Sequence, residues 1–303
     1  MLKVNNLSFS YNKTSVLKDL SFKVRQGEHL SVIGESGSGK STLLNLLFGE
    51  YDLNKGQIFW KDKEILGPKY NLVVGYDFMK YVSQDFDLMP FITVEENIGK
   101  HLSNFFPEEK KERTTELLNV VELTEFAKTK VKTLSGGQKQ RVALARALAK
   151  QPEIILLDEP FSHIDNFKKQ SLRRSVFKYL KDKNIACIVA THDKEDVLGF
   201  ADTMIVLHNQ KIAVNNSPET LYNNPKTPLI ASFFGEFNVI NDKIIYAHQL
   251  KVVEKSDLKA TVKHAYFKGH YFLIEVDLKG KTVFFENENN FKINDTVYLT
   301  ILS

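Results

Sequence analysis

The chain has one cysteine in 303 residues, Cys187, so no internal disulfide can staple it. That thiol lies in the apolar run Ile185-Ala186-Cys187-Ile188-Val189-Ala190, which reads as core rather than as a reactive site. A reducing compartment is the expectation. Long hydrophobic runs are missing as well. No stretch approaches the ~20 apolar residues that span a bilayer, and the opening Met1-Leu2-Lys3-Val4-Asn5-Asn6 lacks the apolar segment of a signal peptide. A soluble, cytoplasmic chain is expected. Charge of one sign is also scarce: 41 Lys and Arg face 37 Asp and Glu, and the net charge of +4 forms no block. A nucleic-acid-binding tail gains no support. What is present is globular, with 43% hydrophobic and 26% charged residues, enough for one large domain plus a small one.

Punctuation along the chain divides it further. Leu7-Ser8-Phe9-Ser10-Tyr11 and Leu20-Ser21-Phe22-Lys23-Val24 alternate apolar and polar, as half-exposed antiparallel strands do. Leu30-Ser31-Val32-Ile33, Ile154-Ile155-Leu156-Leu157 and Ile185 to Ala190 are nearly continuous apolar runs, which predict strands of a parallel sheet covered on both faces. The expected core is therefore an α/β nucleotide-binding fold. From about 85 to 150 the pattern is helical, with segments at 93–98, 108–121 and 138–150, and reads as an inserted helical subdomain. A Pro/Asn-rich connection, Asn223-Asn224-Pro225-Lys226-Thr227-Pro228, precedes short β-like runs such as Tyr271 to Val276 and Val297 to Ile301. These predict two domains, 1–235 and 236–303, the second a small β-barrel or sandwich.

The first chemical signal is Gly34-Glu35-Ser36-Gly37-Ser38-Gly39-Lys40-Ser41, followed by Thr42 and an apolar helical run, directly after a predicted strand. It fits G-x-x-x-x-G-K-[ST]. Glycines let consecutive backbone N–H groups point inward, and the helix that follows adds its positive dipole end, so the loop binds a triphosphate with backbone alone. Lys40 then reaches the β- and γ-phosphates and Ser41 holds Mg²⁺. The second signal is Ile154-Ile155-Leu156-Leu157-Asp158-Glu159-Pro160, an apolar strand delivering two carboxylates at its carboxyl end, where open α/β sheets bind ligands. Asp158 is placed to help hold the metal, and Glu159 to polarise a water for attack on the γ-phosphate.

Between those two signals stands Leu134-Ser135-Gly136-Gly137-Gln138, a serine and two glycines opening a predicted helix from Lys139 to Lys150. Serine and glycine are ordinary helix caps, yet a second anion site beside a complete phosphate loop asks for another explanation. With these residues the sequence resembles the ATP-binding subunits of ABC transporters over residues 1 to about 235. The resemblance implies a P-loop NTPase core with an antiparallel β subdomain and a helical subdomain. It also implies that the Ser135-Gly136-Gly137-Gln138 turn of one subunit closes over ATP held by the phosphate loop of a second copy, so two ATP molecules sit in a head-to-tail homodimer. By the same resemblance Tyr11 stacks on adenine and Gln84 senses the γ-phosphate and metal. His192, after another predicted strand, bonds the γ-phosphate, and Asp165 links the two sites. His163 and Ile164 depart from the small residue and leucine common before that aspartate.

The tail is similar to importer ATPases of the spermidine/putrescine, ferric-iron, sulfate and maltose group, which carry a carboxyl-terminal OB-like (TOBE) domain. Ser217 to Pro225, Phe233 to Asn238 and Ile293 to Leu299 fit that rhythm, whereas Ala247-His248-Gln249 replaces the usual Arg-Pro-Glu step. The resemblance implies a transport-coupled ATPase on the cytoplasmic side of the membrane. Its partners would be a membrane permease and, indirectly, a substrate-binding protein, with no nucleic acid. Exporter-type and DNA- or ribosome-associated ABC ATPases are the alternatives, and a nucleotide-dependent regulator is a further one.

Overall fold

The structure is a computed structural model, and it describes Met1–Leu302. It falls into two compact units, Met1–Pro218 and Glu219–Ser303. In the first, the elements run β1 (Leu2–Tyr11), β2 (Thr14–Val24), β3 (His29–Ile33), α1 (Lys40–Phe48), β4 (Lys55–Trp60), β5 (Lys63–Glu64) and β6 (Met79–Val82). There follow α2 (Val94–Gly99), α3 (Pro107–Val120), α4 (Gly136–Leu148), β7 (Ile154–Asp158), α5 (Asn166–Asp182), β8 (Ala186–Ala190), α6 (Lys194–Phe200), β9 (Thr203–His208) and β10 (Lys211–Asn216).

Two sheets organise this unit. The first is antiparallel, in the order β2-β1-β4-β5, and the second runs β10-β9-β3-β8-β7-β6, parallel except for its β10 edge. The continuous apolar runs are the central strands of the second sheet, every residue of β3, β7 and β8 being buried. Side chains alternate across a strand, so each run serves two cores. Ile154, Leu156, Ile188, Leu30 and Val32 pack toward α1 and the antiparallel sheet. Ile155, Leu157, Cys187 and Val189 pack toward the helices α2 to α5. Cys187 is free and fully buried, which pushes its thiol pKa up and keeps it protonated.

The second unit begins earlier than the boundary at 235 that the composition suggests. Its elements are α7 (Pro218–Asn223), α8 (Pro228–Phe234), β11 (Phe237–Ile240), β12 (Lys243–Tyr246), β13 (Leu250–Val253), β14 (Leu258–Phe267), β15 (Phe272–Leu278), β16 (Lys281–Asn287) and β17 (Thr296–Ile301). Two short helices flank the Pro/Asn-rich connection and pack on the β strands after it: Tyr222 stacks on Tyr246 at 5.0 Å and meets Phe234 edge-on. Hairpin turns are set by residues that accept left-handed backbone. Asn241 and Asp242 join β11 to β12, and Lys279 and Gly280 join β15 to β16, all with positive φ. The five-stranded antiparallel sheet β13-β17-β14-β15-β16 closes over Val262, Ile274, Val276, Phe285 and Leu299. This unit is all-β and OB-like beyond its two short helices.

Candidate functional site

Four neighbouring parallel strands, β6, β7, β8 and β3, end at one level: Val82 pairs Leu157, Asp158 pairs Ala190, and Ala190 pairs Val32. Each carries a sequence-predicted residue just past its carboxyl end, namely Gln84, Glu159, His192 and the Gly34 loop. Register therefore assembles what the sequence scatters over some 160 positions. Tyr11, Gly34, Ser36, Gly37, Gly39, Lys40, Ser41, Thr42, Gln84, Glu159 and His192 line one cavity of about 550 Å³.

The phosphate loop is built as its glycines predict. Gly39 caps α1 in the left-handed region at φ 97°, where a Cβ would also press to 2.8 Å from Leu17. Lys40 Nζ donates to the carbonyls of Gly34 at 2.8 Å and Glu35 at 3.0 Å, curled over its own loop. Burial lowers the Lys40 amine pKa, while the charges of Glu159 and Asp158 pull it back up. Ser38 lies beneath, its Oγ buried without a partner. Asp158 is buried, and burial raises its carboxyl pKa against hydrogen bonds from Ser41 and Tyr81. Among the described residues no cluster of three or more His, Cys, Asp and Glu forms a metal cage. The Ser41–Asp158 pair instead offers oxygen donors to a hard cation that completes its shell with phosphate and water, which is how Mg²⁺ is bound.

Glu159 and His192 face each other across the cavity, Glu159 Oε1 and His192 Nδ1 being 2.9 Å apart. The backbone of Glu159 is left-handed at φ 50°, held by its N–H to the carbonyl of Ala190 at 2.9 Å. The loop bearing His192 is pinned from below. Thr191 Oγ1 donates to Asp196 at 2.7 Å, and the buried Arg173 pairs with both Asp193 and Asp196. Tyr11 is not core: it is 42% exposed at the cavity rim, edge-on to Phe9 and Tyr51, with its hydroxyl 3.4 Å from Thr42.

Ser135, Gly136, Gly137, Gln138 and Asp165 do not line that cavity. Helix α4 starts at Gly136 rather than at Lys139, with Ser135 as its N-cap. The Ser135 hydroxyl accepts from Gln138 N–H, and the Gln138 side chain accepts from Ser135 N–H, a reciprocal capping box. A methyl on Gly136 would meet nothing within 4 Å, whereas one on Gly137 would lie 2.6 Å from the His163 carbonyl. Asp165 caps α5 through Lys168 N–H.

Sequence reading missed the side chains beneath these loops. Gln140 and Arg173 are buried and polar, and Arg146 of α4 donates to the carbonyls of Phe86 and Asp87 just after Gln84. Their one sequence signal was polar residues at helix positions facing apolar neighbours, a weak one without the fold.

Comparison with known proteins identifies the family. The profile of the ABC transporter family matches residues 17–162. The Fe(3+) ions import ATP-binding protein FbpC of Haemophilus influenzae is 33% identical over 95% of this chain and 92% of its own. The spermidine/putrescine import ATP-binding protein PotA of Bacillus cereus is 33% identical over 91% of this chain and 84% of its own. Among solved structures, the dimeric structure of MJ0796, a bacterial ABC transporter cassette, is 30% identical, with a TM-score of 0.63 over 72% of this chain and 98% of that one.

Proposed function

The chain belongs to the ATP-binding subunits of ABC transporters and is an ATPase of that family, and on that premise we propose that it drives import. In this reading it works as a homodimer on the cytoplasmic side of a membrane permease, with a substrate-binding protein upstream. Relatives named for import match it over nearly their whole length, which supports the importer reading. No helix among the described residues is long and apolar enough to cross a membrane, so the membrane-spanning path is assigned to the partner. The carboxyl-terminal β unit takes a structural or regulatory role.

One observation carries the mechanism: the Ser135–Gln138 turn, a helix amino terminus, lies outside the cavity lined by the phosphate loop and has an open face at Gly136. A site with one wall is completed by a second copy. ATP bound in the Gly34–Thr42 cradle draws the Lys40 ammonium from the Gly34 and Glu35 carbonyls to the β- and γ-phosphates. Ser41 and Asp158, with Gln84 alongside, would hold Mg²⁺, which would supply charge neutralisation at the phosphates. Glu159 accepts a proton from the attacking water as its oxygen bonds to the γ-phosphorus and the bond to the β,γ-bridging oxygen breaks. His192, 2.9 Å from Glu159, orients that carboxylate and bonds the γ-phosphate. The partner's copy of the Ser135 turn closes the site, with Asp165 at the junction and Tyr11 against the adenine. Loss of the γ-phosphate then releases the closed pair, converting chemistry into movement.

Glu159→Gln tests this. ATP hydrolysis should fall on the order of a hundredfold or more, while ATP binding persists and an ATP-dependent dimer accumulates in size-exclusion chromatography. A folded variant that remains monomeric with ATP would reject the reading.

A further inference from the structure

Gln140 lies in the second turn of α4, 1% exposed, and its side-chain amide bonds to the loop after β7 rather than to its own helix. Its Nε2 donates to the Glu159 carbonyl at 2.9 Å and approaches Ser162 Oγ at 3.5 Å, and its Oε1 accepts from His163 N–H at 3.1 Å. A buried amide whose two shorter bonds are both to the backbone of one loop fixes that loop's orientation, because breaking either bond strands a polar group. Glu159 is the residue it grips, and Glu159 sits in the left-handed region, where few neighbouring conformations are open to a residue with a Cβ. The Glu159 carbonyl also accepts from Ser162 Oγ at 3.0 Å. Its peptide plane, and with it the direction in which the carboxylate leaves the backbone, is held by these donors.

The same short stretch of α4 reaches the other way. Ser135 caps the helix and Gly136 begins it, and Gly137 presses against the His163 carbonyl so closely that no side chain fits. One rigid turn therefore joins the open anion-binding face to the loop that aims Glu159. We infer that Gln140 is a positioning residue that transmits engagement of ATP on a partner's phosphate loop by Ser135 and Gly136 to the aim of Glu159 in its own site. This rests on the dimeric reading above. Occupancy of one site thereby sets the geometry of the general base in the other.

Two substitutions separate this from general packing. Gln140→Leu has similar volume and no hydrogen bonds. It should bind ATP with affinity within about twofold of the parent, and in the Glu159→Gln background it should still accumulate the ATP-dependent dimer. In the otherwise intact chain its kcat should fall about tenfold, the scale of one lost positioning bond, with KM within about twofold. Gln140→Glu keeps an acceptor for His163 N–H but cannot donate to the Glu159 carbonyl until its carboxyl is protonated. Burial at this 1% exposed position raises that carboxyl's pKa, so the variant's kcat relative to the parent should rise as pH falls from ~8 to ~6. Titratable neighbours on the facing loops, Glu159, His163, Asp165 and His192, are common to both proteins and cancel in that ratio. A Gln140→Leu kcat within twofold of the parent overturns the inference, as does loss of the trapped dimer in that variant or a flat ratio for Gln140→Glu. If Gln140→Leu does not fold, the pH ratio decides alone. Failure of Glu159→Gln by itself to trap a dimer strikes the dimeric reading instead, whatever Gln140 does.

Discussion

The starts of α1 and α4 are both glycine-flanked helix amino termini, and they solve the same electrostatic problem in opposite ways. At α1 the loop curls into a cradle: Gly39 is left-handed, Lys40 reaches back to two carbonyls, and a cavity opens above. At α4 the turn lies outside that cavity, and its serine and glutamine satisfy each other. A cradle with donors turned inward holds a ligand alone, whereas under the proposed dimeric reading a turn with its own groups satisfied is one wall of a site completed by a second copy. Helix dipole and glycine content do not distinguish the two; the side chains closing back over the loop do.

Lys40→Ala is the largest way to break the contrast. It should abolish detectable ATP binding by the isolated chain, measured by fluorescent-nucleotide titration, since no other side chain supplies an ammonium to that cradle; retained binding would reject the α1 assignment. Paired alanines at the two α4 glycines come next. Gly136→Ala fills open space at a helical position, so the melting temperature should hold or rise by the equivalent of about 0.4–1 kcal/mol. ATP-driven dimerisation and turnover should nevertheless drop, because the methyl stands on the face offered to the partner. Gly137→Ala drives a methyl against the His163 carbonyl and should cost about 1–3 kcal/mol of stability. Equal behaviour of the two variants would remove the distinction between an outward and an inward face.

The smallest separation comes from acid. The strand feeding α1, β3, starts at His29, 1% exposed, with only the Phe200 and Ile185 carbonyls near its ring nitrogens and no hydrogen bond of good geometry. Burial, with Lys181 nearby, lowers its pKa to about 4 despite the opposing pull of Asp202. In the unfolded chain it titrates near ~6.5. Below that pH the unfolded state binds a proton that the native ring refuses, so stability is intact above ~6.5 and is lost as pH falls toward 4, by about 2 kcal/mol at pH 5. His29→Leu should flatten the fall in melting temperature between pH 7 and 5. Parallel curves for variant and parent would show that the ring is not the acid-sensitive support of β3.

Much of the site was legible in sequence because its chemistry is local. Gly34 to Ser41 is one loop, Asp158-Glu159 one strand end, and Ser135 to Gln138 one cap. The buried runs at Leu30, Ile154 and Ile185 announced a sheet covered on both faces. The second unit starts before residue 235 because Pro228, which reads as linker punctuation, opens a short helix. Gln140 and Arg173 stayed invisible because a polar residue on a helix reads as solvated until the loop that buries it is known.

By itself the sequence determined the residue types and their local conformations: which loop can cradle phosphate, which strand delivers acids, and which turn can meet an anion, since each depends on neighbours along the chain. Only the tertiary structure decided how these combine. The register of β6, β7, β8 and β3 brought Gln84, Glu159, His192 and Lys40 around one cavity. It left the Ser135 turn outside that cavity and tied it through Gln140 to Glu159, because strand pairing and helix packing act between segments far apart in the chain.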